Sequence, residues 1–98
     1  MNTIPAYLIA DTDITDPERY EEYKRQAAPL VERFGGRYCA RGGKHEVLEG
    51  DFEPVRLVVL EFPDMESLKA WYNSPEYAPV KAIRQEAAKS RLIALEGM

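Results

Sequence analysis

The run VRLVVLEF, Val55 to Phe62, is apolar on both of its faces. Side chains alternate along an extended chain, so Val55, Leu57 and Val59 point one way while Val58, Leu60 and Phe62 point the other. The first and last strands repeat the pattern: Tyr7 and Ile9 oppose Ala6 and Leu8, and Ile93 and Leu95 oppose Leu92 and Ala94. A sheet built from such strands needs a cover on each side. Helices joined by short right-handed crossovers fall on one side only. The second face is left for another chain, and two copies packed sheet to sheet about a two-fold axis give the expected assembly, a homodimer.

The intervening segments read as capped amphipathic helices. In TDPERYEEY, Asp16 caps the free N–H groups, Pro17 suits the first helical position and Glu18 favours the positive end of the dipole. Tyr20, Tyr23, Ala27, Leu30, Val31 and Phe34 then form one apolar stripe. Pro29 is expected to kink this helix or split it, and Gly35-Gly36 to stop it. Arg37 to Arg41 and Lys44 to Glu49 read as strand on either side of Gly42-Gly43. Asp64 caps a second helix carrying Met65, Leu68, Trp71 and Tyr72 inward; Ser74-Pro75 introduces a third with Tyr77, Val80 and Ile83, whose start is blurred by Pro79. RLIALE, Arg91 to Glu96, closes the chain as a strand. The order is that of the ferredoxin-like β-α-β-β-α-β motif, an α+β fold with an antiparallel sheet, and residues 1–98 are expected to form a single domain.

Composition narrows the function classes. With 13 Lys and Arg against 17 Asp and Glu, the net charge of -4 opposes general attraction to nucleic acid or an anionic membrane. The apolar run IPAYLIA lacks a basic segment before it and is shorter than a membrane span, so it reads as a strand. Cys39 has no partner for a disulfide, is expected to act as a small buried hydrophobe, and makes a cytoplasmic location the default. One histidine excludes a multi-histidine metal site, and GGRYCARGG has neither the ending of a P-loop nor the context of a dinucleotide fingerprint. No metal and no cofactor are expected.

Candidate site residues cluster around YCARGGKHEVLEGD. Gly42 and Gly43 read first as a bulge or bend in a hairpin strand, and second as a place where backbone lets a ligand approach. Arg41 is the natural anion anchor, because its planar fork suits a carboxylate; the plainer reading is a surface ion pair. His45 is of the residue type most used as a general base, yet the sequence supplies no orienting partner and a solvated strand histidine is the plainer reading. Asp11 and Glu61 sit near strand ends, either buried with raised pKa values or salt-bridged. Asp11 shares a face with Tyr7, which places both as candidates to look into a cleft. Tyr20, Tyr23, Trp71, Tyr72 and Tyr77 carry polar tips at core-like spacing, so they read as core and also as walls of a pocket for a small aromatic or carbonyl compound. Arg84 and Arg91 are candidates to neutralise its acid group.

AYLIAD, TDPERYEEY, FGGRYCARGG, EVLEGD, VVLEFPDMESLKAWYNSPEY and SRLIALEG occur in that order. Together they make the chain resemble, over nearly its whole length, the bacterial family known as domain of unknown function thirteen-thirty, within the dimeric α/β-barrel superfamily. The resemblance implies a ferredoxin-like chain pairing into a barrel, with a small-molecule cleft between sheet and helices. The superfamily includes cofactor-free monooxygenases, lactone isomerases, haem-degrading enzymes and ligand-sensing domains, and the family brings no agreed catalytic set. The expectation is a small-molecule-binding homodimer. If it is an enzyme, of the cofactor-free monooxygenase or isomerase kind, Arg41 orients the substrate while Asp11 or His45 moves a proton. The alternatives are a ligand-sensing or structural dimer module and, third, haem handling.

Overall fold

The chain runs β1 (Ala6–Ile14), α1 (Pro17–Arg33), β2 (Arg37–Arg41), β3 (Leu57–Phe62), α2 (Met65–Tyr72), α3 (Tyr77–Ala87) and β4 (Ala88–Glu96) in a computed structural model that describes residues 3–98. Local chemistry sets the helix ends. The Asp16 side chain accepts the Arg19 N–H at 3.2 Å and the Asp64 side chain accepts the Ser67 N–H at 2.7 Å, each pairing a donor that the first helical turn leaves free. Ser74 joins α2 to α3: its hydroxyl donates to the Trp71 carbonyl at 2.9 Å and accepts the Tyr77 N–H at 3.1 Å. At the end of α1, Gly35 takes φ +85°, its N–H reaches the Glu32 carbonyl at 3.0 Å, and the Gly36 N–H reaches the Val31 carbonyl at 2.8 Å. This is the paired bonding of a Schellman stop.

Pro29 does not split α1. The proline forfeits one helical hydrogen bond, but the helix continues through it with Tyr20, Ala27 and Val31 buried along one side.

The four strands form one antiparallel sheet in the order β2-β3-β1-β4. In β1, Ala6 lies opposite Phe62 and Glu96, and Leu8 opposite Leu60 and Ala94. All three helices cover one face, where Ala6, Leu8, Ala10, Thr12, Leu60 and Phe62 are buried. The core is strongly aromatic there, with Trp71 and Tyr77 at 4.4 Å between ring centroids and Phe62 and Trp71 at 5.5 Å. The opposite face carries Ile9, Leu57, Val59, Ile93 and Leu95 and is left uncovered by the helices; Ile93 is 61% exposed and Leu95 53%. The two-faced apolar pattern is therefore real, and one face of it is open in the single chain.

Two sequence expectations fail at the sheet edge. Lys44 to Glu49 form no strand: β2 ends at Arg41, β3 begins at Leu57, and the segment between them is an exposed loop. Strand-like residues need a neighbouring strand to hold them, and register puts Arg41 opposite Val58 with no sheet beyond. Cys39 is exposed, not buried, because it falls where the pairing skips between Tyr38 and Ala40, the signature of an extra residue on an edge strand.

Under denaturant, Leu60→Ala, on the covered face, should cost about 2–5 kcal/mol through the cavity it opens. Asp64→Ala should cost about 1 kcal/mol through the lost cap. Similar losses for the two would contradict this division between core and cap.

Candidate functional site

Between the covered face of the sheet and the helices lies a partly open cavity of about 30 Å³. A single water needs about 10–15 Å³ on this measure, so the space is small but real. Leu8, Ala10, Val58 and Leu60 supply apolar floor from the sheet; Tyr20 and Tyr23 of α1 and Trp71 of α2 supply walls. The polar contribution is one-sided. Arg41, Arg56, Arg84 and Lys24 line the space, and no carboxylate does.

Each arginine is placed by identifiable local structure. Arg56 lies one residue before β3 on the side of Val58 and Leu60, and its guanidinium donates to the Tyr20 hydroxyl at 3.3 Å and stands 5.4 Å from the Tyr20 ring centroid. Gly42 makes room for it. Gly42 takes φ +70°, its N–H bonds the Leu57 carbonyl at 2.8 Å, and a Cβ there would come within 2.6 Å of Arg56 Nε. The glycine is thus both a bend and a close approach, and what approaches is an arginine of the cleft. Arg41, at the end of β2, stacks over the Tyr38 ring at 4.5 Å. Arg84, on α3, is only 5% exposed.

The electrostatics follow from burial. Among the described residues no carboxylate lies within ion-pair distance of Arg41, Arg56 or Arg84; Glu21, close enough to feel Arg41 and Arg56, is paired with Lys24 at 2.8 Å. Burial, the largest single influence, works to lower the Arg84 pKa, but the phenol groups of Tyr77, Tyr23 and Tyr72 around it raise it overall. Arg84 stays charged. Burial pushes the Tyr23 phenol well above its ordinary range, and its hydroxyl lies 2.8 Å from that of Tyr77. Burial raises Tyr38 as well. The cleft therefore holds neutral phenols and uncompensated positive charge.

The sequence-selected residues divide by location. Arg41, Tyr23 and Trp71 line the cavity, Gly42 shapes it, Tyr77 is buried behind Trp71, and Tyr72 packs beside both. Gly43 is exposed with open space around it. His45 is exposed in the loop after β2. Tyr7 and Asp11 lie on the open face, so the expectation that they look into the helix-side cleft does not hold: alternation put them together, and the helices cover the other side. Tyr7 donates to Glu61 at 3.2 Å, and Glu61 pairs with Arg37. Asp11 accepts the Val55 N–H at 2.8 Å and the Arg56 N–H at 3.3 Å and pairs with Arg91 at 2.8 Å. The Arg91 bond is the main cause that holds its carboxyl below the usual value. Arg91 thus serves Asp11, not the cleft. Arg41, Asp11 and His45 do not converge. Arg56 and Tyr38 went unselected, although Arg56 shares a strand face with Val58, Leu60 and Phe62, where a charge is a signal of function.

No described group of three His, Cys, Asp or Glu side chains is arranged to hold a metal ion. Among the described residues no helix is long and apolar enough to cross a membrane.

The family model described as Domain of unknown function (DUF1330) matches residues 5–98, and the chain belongs to that family. A crystal structure of RPA0582, a protein of unknown function from Rhodopseudomonas palustris, superposes with TM-score 0.78 at 24% identity, covering 99% of this chain and 85% of that one. SnoaB, a cofactor-independent oxygenase from Streptomyces nogalater, superposes with TM-score 0.65 at 11% identity, covering 98% and 94%. A conserved protein of unknown function from Bacteroides thetaiotaomicron, a possible oxidoreductase, gives TM-score 0.62 at 17% identity, covering 98% and 99%. No curated protein matches in sequence. The likenesses establish the ferredoxin-like fold.

Gly42→Ala should force Arg56 out of its contact with Tyr20 and cost about 1–2 kcal/mol for a side chain at positive φ. A crystal structure of a fully stable variant with Arg56 unmoved would refute the close-approach reading. Asp11 has a lowered folded pKa, so its contribution to stability is present above its unfolded value of 3.8 and is lost as pH falls through the lower folded value. Acid should loosen the Val55–Arg56 end of the loop, read as faster amide exchange there, and Asp11→Ala, which removes the acceptor oxygen, should already show that loosening at neutral pH. Unchanged exchange in the variant would count against the anchor.

Proposed function

We propose that this protein binds a small organic molecule in the cleft between sheet and helices, as a cytoplasmic homodimer. The observation that carries the reading is the convergence of Arg41, Arg56 and Arg84 with Tyr20, Tyr23 and Trp71 on one cavity that, among the described residues, no carboxylate lines. Apolar walls with a few directed polar groups are the usual make-up of a ligand site. The open sheet face supports the dimer, since Ile9, Leu57, Val59, Ile93 and Leu95 leave a continuous apolar surface and Phe52 with Leu57 and Ile93 borders a further depression of about 410 Å³ on it. A second copy of the same sheet is the cover whose chemistry matches.

For chemistry, the cofactor-independent oxygenase among the structural relatives supports a reaction on a bound organic substrate without a metal or cofactor, a monooxygenation or an isomerisation. In that reading the cleft arginines hold the substrate as an anion, and Arg41 orients it at the mouth. A second reading, a non-catalytic ligand-sensing or structural module, is favoured by one observation: Asp11 and His45, the sequence candidates for moving a proton, lie outside the cleft.

Native mass spectrometry of gently purified protein should give a dimer carrying a reproducible extra mass. Ile93→Asp, at an exposed position of a single chain, should yield a folded monomer with an unchanged circular-dichroism spectrum. A monomeric wild type in dilute sedimentation runs would overturn the dimer. A dimer in which neither retained mass nor any member of a metabolite panel binds would overturn the ligand reading.

A further inference from the structure

Among the described residues, two buried side-chain atoms have no hydrogen-bond partner: Trp71 Nε1 and Arg84 Nε. Both residues line the same cavity, and both are almost wholly shielded, Trp71 at 1% exposure and Arg84 at 5%. Buried donors without acceptors are uncommon, because each loses its hydration with nothing in return. Two unpartnered donors on residues that line one small space point to something that belongs there.

From these unpartnered donors we infer that the ligand of the cleft is an organic carboxylate, seated with its acid oxygens on Trp71 Nε1 and Arg84 Nε. This rests on the small-molecule reading above and names the substrate class of that site. An ordered water would fill one or both bonds but would leave the Arg84 charge unopposed in a buried place, whereas a carboxylate oxygen meets the donors and the charge together. Among the described residues no carboxylate pairs with the Arg84 guanidinium to neutralise it. The cavity of about 30 Å³ is sized for an acid head, not for a ring. The remainder of the ligand therefore lies toward Tyr20 and Tyr38, where Arg56 and Arg41 already rest against the aromatic faces. Those two arginines add positive potential along the route in.

The test is a titration of the whole protein with benzoate and with its neutral isostere benzamide, followed by calorimetry and by the fluorescence of Trp71, the single tryptophan. Benzoate should bind and perturb Trp71, with benzamide at least about tenfold weaker, the scale set by losing one charge-assisted hydrogen bond. Arg84→Gln and Trp71→Phe, the latter followed by calorimetry alone, should each weaken benzoate by at least about tenfold. Should Arg84→Gln not fold, Arg84→Lys keeps the charge but not the planar donor and should still weaken binding. Equal affinity for benzoate and benzamide would overturn the carboxylate and leave a neutral-ligand cleft standing. Binding of inorganic phosphate in preference to benzoate would overturn it in favour of another anion. Binding of neither probe would overturn it too, and a retained mass in native spectra would then still support a ligand of different class.

Discussion

A sheet that is apolar on both sides is the constraint on which everything else here depends. Three helices cover one side of it and bury the Trp71, Tyr77 and Phe62 cluster, and a cavity of about 30 Å³ remains between this cover and the sheet. The other side keeps Ile93 and Leu95 more than half exposed. A single chain of this fold thus satisfies half of its own hydrophobic pattern, and the proposed dimer satisfies the rest.

The two faces are not independent. Asp11 on the open side holds the backbone N–H groups of Val55 and Arg56, while the Arg56 side chain passes to the covered side and meets Tyr20. One residue is therefore fixed from one face and used on the other. Gly42 completes the arrangement by leaving space where a Cβ would strike the guanidinium. The positive charge of the cleft is held by backbone geometry and stacking against aromatic rings, not by ion pairs. That leaves it free to meet an anion from outside.

Much of the fold was legible because its causes are local. Asp16 and Asp64 cap as their positions indicate, Gly35 stops α1, and alternation in β1 and β3 sorts the side chains correctly into two sets. What alternation does not carry is which set the helices will cover, and so Tyr7 and Asp11 went to the wrong face. Lys44 to Glu49 have the composition of a strand but no neighbour to pair with, and pairing is decided by the register of β2 on β3. Cys39 was placed inside by residue type and lies outside by a skip in that same register. Arg56 was readable from its place on the face of Val58 and Leu60, whereas its contact with Gly42 joins residues across a long loop and needed coordinates.

The ligand acid group proposed for the cleft is open to direct observation. The most direct measurement is a high-resolution crystal structure of protein purified from its own cells without exchange of bound molecules. A bound carboxylate should show density for an anionic oxygen within hydrogen-bond distance of both Trp71 Nε1 and Arg84 Nε, with Arg56 resting against Tyr20. A dry cavity, or an Arg84 side chain turned away to pair with a protein carboxylate, would contradict it.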